Sequence, residues 1–254
     1  MAGHSKWANI KRQKARVDAV KGKVFAKLSR EIIVAAKHGG GDPDGNFQLR
    51  TAIDKAKSAG VPNDNIDRAI AKGTGKLGSD GNLESIRYEG YGPGGVAVLV
   101  EALTDNRNRT AADLRSAFSK NGGNLGETGC VGWMFEQKGV VVVVGDLDED
   151  TLLEAAIEGG AESYELTEVD EDTPGAEVLC SPGDLETLSD HLKVESYRVR
   201  DIEVRWVPSN TVDITDPDQA KSLLKMMDAL EDLDDVQSVT ANFDMGEEIL
   251  ATVF

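Results

Sequence analysis

Apolar side chains recur at helical spacing between Lys23 and Lys37. Val24, Leu28, Ile32 and Ala35 share one face, and Lys23, Lys27, Arg30 and Lys37 share the opposite one. Gly39-Gly40-Gly41 ends the run. After Asp42-Pro43-Asp44 a second helix turns Leu49, Ala52, Ile53 and Ala56 inward and stops at Gly60. A third opens behind Val61-Pro62, with Asn63 as N-cap and Ile66, Ala69 and Ile70 inward. Three short helices on short loops predict a small helical bundle.

The period then changes from helical to extended. A Gly-rich stretch from Gly73 to Asn82 marks a boundary. Ser85 to Tyr91 and Val96 to Leu103 flank Gly92-Pro93-Gly94-Gly95, which predicts a hairpin. Thr110 and Asp113 form a capping box for a helix that runs to Lys120, and Val131 to Phe135 reads as the next strand. Further on, Gly139–Gly145, Ser163–Val169, Glu177–Cys180 and Arg198–Val207 read as strands. Leu152–Glu158 and a stretch from Ser181-Pro182 to about Leu192 read as helices. This is the βαββαβ order of a ferredoxin-like unit. The tail adds a helix, Ala220–Leu230, and a strand, Val236–Phe243. The 85–135 segment lacks one helix and one closing strand, and the tail has both. The expected class is therefore α+β and multidomain. Its parts are a helical domain at 1–78, a discontinuous middle α/β domain from 79–135 plus 209–254, and an inserted acidic ferredoxin-like domain at 136–208.

Charge changes the picture. The first 76 residues carry sixteen Lys and Arg against seven Asp and Glu, a net of +9. The remaining 178 carry twelve against thirty-eight, a net of −26. A cationic head on a repulsive body points to a polyanion reached by the head alone, and nucleic acid is the commonest such partner. The candidate contacts are Lys6, Trp7, Lys11, Arg12, Lys14, Arg16, Lys21, Lys23, Lys27 and Arg30. Four to six phosphate contacts would support about micromolar, sequence-tolerant binding. No bulky apolar face backs these cations, so a membrane-surface helix is disfavoured.

A second basic point lies in Thr104-Asp105-Asn106-Arg107-Asn108-Arg109-Thr110. Here Arg107 and Arg109 are expected just before a helix N-terminus, which itself attracts anions. The same letters also suit an Asx-turn and N-cap loop with an Arg paired to Glu101 or a nearby acid, and the sequence leaves the two open. Gly73-x-Gly75-x-x-Gly78 matches a dinucleotide fingerprint only by letters, since no strand precedes it. Tyr88 to Gly95 suits a tight turn better than a phosphate nest, and leaves a surface role for Tyr91 open. Cys130 and Cys180 read as small buried thiols, and the three histidines have no metal spacing. No acid–base pair or nucleophile stands out, so the expectation is a protein without catalysis, metal or cofactor. The N-terminus carries no signal peptide pattern and no apolar run could span a membrane, which points to the cytoplasm.

Several long motifs occur in order along the whole chain. They are Met1-Ala2-Gly3-His4-Ser5-Lys6-Trp7, Gly40-Gly41-Asp42-Pro43, Val61-Pro62-Asn63-Asp64-Asn65-Ile66, Tyr88 to Gly95, Thr104 to Thr110, and Asn121-Gly122-Gly123-Asn124-Leu125-Gly126. With them the chain resembles the YebC/PmpR family. Cys130 departs mildly, standing where a small residue such as Ser is expected. The resemblance implies three domains and a regulator of gene expression without cofactor. Members are described as DNA-binding transcriptional regulators. The organellar relative is a translational activator of cytochrome oxidase subunit one, and some bacterial relatives resemble ribosome-associated factors for proline-rich stretches. A motif starting at Met1 implies no organellar presequence. DNA and rRNA both remain as partners of the head, and the acidic regions offer a surface to the ribosome or to a basic protein.

Overall fold

A computed structural model describes residues 21–77, 83–170 and 173–253. It is a mixed α+β structure with a helical N-terminal region and three sheets among the described residues. Phe135–Val207 forms one compact unit, and the described residues up to Met134 together with those from Pro208 form the other.

The larger unit begins with α1 (Lys21–Gly39), α2 (Phe47–Ser58) and α3 (Asn63–Gly73). Leu28, Ile32, Ala35, Leu49, Ala52, Ile53, Ala56, Ile66 and Ala69 are buried together, joined by Ile33, Ala36 and Val61. Val24 stays exposed, although the spacing puts it on the apolar face. Asn46 couples the first two helices. Its side-chain oxygen accepts from Leu49 N at 3.1 Å as the N-cap of α2, and its Nδ2 donates to Ala35 O and Gly40 O at 2.9 and 2.8 Å. Pro62 rather than Asn63 precedes the first turn of α3, without a side-chain cap. Gly73 is the last residue of that helix rather than linker, and a Cβ there would lie 2.6 Å from Ile33 O. Glycine thus lets α3 approach α1 closely.

A hairpin follows, β1 (Glu84–Tyr91) antiparallel to β2 (Ala97–Thr104). Gly94 and Gly95 turn it at φ of 75° and 76°, where a side chain would be strained. Then come α4 (Arg107–Lys120), the short β3 (Asn124–Leu125) and, after the other unit, β8 (Val212–Asp213), α7 (Pro217–Glu231), β9 (Val236–Ala241), β10 (Phe243–Asp244) and α8 (Glu247–Val253). The sheet order is β3-β1-β2-β9, with the C-terminal β9 antiparallel to β2. Phe118 of α4 and Leu223 and Met226 of α7 are fully buried, and Gly90, Gly92 and Gly123 let them approach to where a Cβ would lie under 3.0 Å from their atoms.

The other unit runs β4 (Phe135–Val144), α5 (Glu149–Glu158), β5 (Ser163–Asp170), β6 (Thr173–Cys180), α6 (Leu185–Val194), β7 (Arg198–Pro208). Its sheet order is β5-β6-β4-β7, and β6 pairs antiparallel with both β4 and β5. Val140 to Val144 are buried along β4.

Several boundaries differ from the sequence expectation, three of them for a reason visible in the side chains. Helix α4 starts at Arg107, one turn early, because Asn106 is the N-cap and accepts from Arg109 N at 3.1 Å. Val131 to Phe135 is not a strand. Gly132–Met134 is a 3-10 turn because the buried Glu89 carboxylate accepts from Val131 N and Gly132 N at 2.8 and 2.7 Å, which turns those amides inward. Helix α6 starts at Leu185, since Ser181 bonds Asp184 in a turn ahead of it.

Candidate nucleic-acid interface

Lys6, Trp7, Lys11, Arg12, Lys14 and Arg16 lie outside the described residues. Lys21 opens α1. Lys23, Lys27 and Arg30 follow at i, i+4 and i+7, so they form one row on that helix. The row faces the acidic end of α7 and the turn after it, Glu231-Asp232-Leu233-Asp234-Asp235. Lys23 Nζ lies 3.4 Å from both Asp232 Oδ1 and Asp232 O, and Lys27 Nζ donates to Glu231 O at 2.8 Å. The Lys27 contact places a cation on the C-terminal carbonyls of α7, the negative end of that helix.

Arg109 reaches the same turn from α4. Its Nη2 lies 2.8 Å from Asp235 Oδ2 and 3.0 Å from Oδ1, and its Nε lies 3.3 Å from Oδ2. Nη2 also donates to Asp105 at 2.9 Å. The acid that holds this Arg is therefore Asp235, not Glu101, which accepts from Ser238 instead. Burial pushes the Asp235 carboxyl up. Hydrogen bonds from Arg109, Thr110 and Thr104, with the Arg109 charge, outweigh that and hold it below the ordinary aspartate range. Arg107 lies in the first turn of α4, exposed, with its Nε 3.5 Å from Glu84 Oε2.

Lys23, Lys27 and Arg30 of the first sequence motif therefore meet Arg109 of the second at this turn, and Arg107 does not join them. Lys23, Arg30 and Arg109 line one open cleft of about 700 Å³ with Thr110, Asp113, Asp232, Leu233, Asp234 and Asp235. The sequence reading missed the acidic partners. The run Glu231–Asp235 carries four carboxylates in five residues, and that density was the available signal.

A second arrangement surrounds Glu89. Burial pushes its carboxyl up, yet amides of Gly129, Val131 and Gly132 and the Arg87 charge hold it below the ordinary glutamate range. On the loop it pins, Tyr91 Oη and Trp133 Nε1 both donate to Cys130 O, at 3.1 and 3.3 Å. Among the described residues no three His, Cys, Asp or Glu side chains are grouped to hold a metal ion, and no helix is long and apolar enough to cross a membrane.

Residues 5–76 match the family model for the TACO1/YebC protein N-terminal domain, and residues 83–243 match that for the TACO1/YebC second and third domain. The chain belongs to the TACO1/YebC family. One family member, from Trichormus variabilis, is 69% identical over 255 residues and all of both chains. Another, from Gloeothece citriformis, is 67% identical over 99% of this chain and 98% of its own. Both bear the name "probable transcriptional regulatory protein". A crystal structure of a conserved hypothetical protein from Aquifex aeolicus is 47% identical and covers 96% of this chain and 99% of its own, at a TM-score of 0.86.

Proposed function

We propose that this TACO1/YebC protein is a non-enzymatic, cytoplasmic regulator of gene expression that grips nucleic acid with its basic head, as a DNA-binding transcriptional regulator. The observation that carries the reading is the division of charge, +9 over the first 76 residues against −26 over the rest. Only the head can approach polyphosphate without repulsion. Lys6, Trp7, Lys11, Arg12, Lys14, Arg16, Lys21, Lys23, Lys27 and Arg30 supply the contact, with Arg107 and Arg109 as a second basic point. The names borne by the relatives support regulation of transcription. The same proposal divides the chain into 1–78, 79–135 with 209–254, and 136–208. It assigns the last segment a ferredoxin-like fold, a reading supported by the order β5-β6-β4-β7.

An rRNA-bound translation factor is the second reading. It is favoured by cations on two separate elements, the α1 row and the exposed Arg107 at the start of α4, which suits an extended ribonucleoprotein surface better than one helix in a groove. In-cell crosslinking with sequencing of the recovered nucleic acid, paired with sucrose-gradient sedimentation, separates the two. Discrete promoter fragments support the first reading. Recovery of rRNA with co-sedimentation on ribosomes overturns it in favour of the second.

A further inference from the structure

The cleft between α1 and the turn after α7 carries more negative than positive side chains. Three cations line it, Lys23, Arg30 and Arg109, against four carboxylates, Asp113, Asp232, Asp234 and Asp235. Three of the described cations proposed to contact nucleic acid are already engaged, two of them by groups chemically akin to a phosphate backbone. Lys23 meets the Asp232 carboxylate, Lys27 meets the Glu231 carbonyl, and Arg109 meets the Asp235 carboxylate.

The two sides of this contact differ in strength. Asp235 is held on the α4 side by Arg109, Thr110 and Thr104, and its side chain is only 13% exposed. On the α1 side, Lys23 and Asp232 are 53% and 74% exposed and 3.4 Å apart, a pair that water and salt screen heavily. The Lys23–Asp232 pair is therefore the weaker of the two carboxylate contacts, while Lys27 holds the Glu231 carbonyl at 2.8 Å. We infer that Glu231–Asp235 is a resident competitor for the basic row of α1, and that a phosphodiester backbone binds Lys23, Lys27 and Arg30 by displacing it. The inference rests on the nucleic-acid reading above and adds its control: affinity is set by exchange of one set of anions for another on the same cations. The exchange favours long, densely charged strands, which release more counterions than isolated phosphates.

The test uses the full chain and a labelled 20-nucleotide single-stranded RNA, read by fluorescence anisotropy at about 0.1 M salt. There the Debye length is about 10 Å and distant charges contribute little. The double variant Asp232→Asn, Asp234→Asn should bind about three- to tenfold more tightly than wild type, since exposed pairs are individually weak. The charge-matched control Glu154→Gln, Glu195→Gln, on α5 and at the end of α6, should change affinity by less than about 1.5-fold. In a Lys23→Ala background, Asp232→Asn alone should give a smaller gain than in wild type, because their contact is already gone. If the 232/234 variant binds no better than the control while Lys23→Ala, Lys27→Ala weakens binding, the competitor is overturned and the nucleic-acid reading stands. If neither wild type nor the 232/234 variant binds the RNA or a duplex DNA of the same length, both fall.

Discussion

Arg109 and Asp235 lie 126 residues apart in the chain and meet as a forked pair, two guanidinium nitrogens on the two oxygens of one carboxylate. Thr110 donates to the same carboxylate at 2.8 Å and Thr104 at 3.3 Å, and both threonines are buried. The pair joins the start of α4 to the residue before β9, the strand that pairs with β2. The bidentate geometry matters here, because a point cation could not occupy both oxygens at once.

Replacing Asp235 by Asn should reduce stability by about 1–3 kcal/mol at neutral pH, the usual cost when buried donors lose a charged acceptor. The pH dependence has a definite sign. The folded carboxyl titrates below its unfolded value, so its contribution is complete above the ordinary aspartate range near ~3.9. It is lost as pH falls through the folded value. Urea unfolding of both proteins at pH 7 and in strong acid should show a gap at pH 7 that shrinks in acid. A gap that widened in acid would contradict the assignment.

Glu89 predicts a larger loss. Its carboxylate accepts from the Val131 and Gly132 amides and is buried at 1% exposure. Glu89→Ala leaves those amides without an acceptor and should cost about 3 kcal/mol. It should also open the loop, measured as faster proteolysis between Glu127 and Met134. Unchanged cleavage there would show that the turn holds itself.

Cys180 is fully buried, and burial with the charges of Asp184 and Glu162 pushes its thiol up to about 11. It should stay unreactive toward a disulfide reagent at pH 8 in the native protein and react once unfolded, because the thiolate is the nucleophile. Mass spectrometry of the labelled peptides reads this directly. Labelling of Cys180 under native conditions would mean that β6 opens readily.

Replacing Lys11, Arg12, Lys14 and Arg16 by Ala should weaken nucleic-acid binding by a similar factor on every sequence and flatten its salt dependence, as phosphate contacts do. Affinity titrations across a salt series on several sequences provide the check. Loss confined to some sequences would mean that these side chains read bases.

The pattern of buried positions in the three N-terminal helices was legible along the chain. The apolar period that groups Leu28, Ile32, Leu49, Ile53 and Ile66 is local and needs no partner to be seen. The hairpin at Gly92–Gly95 was legible too, because positive φ demands glycine. In two places where the reading failed, a group outside the local segment had intervened. Thr110 looked like a helix cap, but Asp235 and Thr104 hold its hydroxyl inside, and Asn106 caps the helix one turn earlier. Val131 looked like a strand, but Glu89 claims its amide from 42 residues away.

The charge division between head and body, and the residue types available to touch a polyanion, belong to the sequence alone, since charge is additive along a chain and does not depend on the fold. Which of those cations are engaged is a matter of tertiary structure. Lys23, Lys27 and Arg109 converge on Glu231–Asp235 only because β9 pairs with β2 and α1 lies over the end of α7. A contact between residues more than a hundred positions apart is set by packing geometry, which no local pattern of letters encodes.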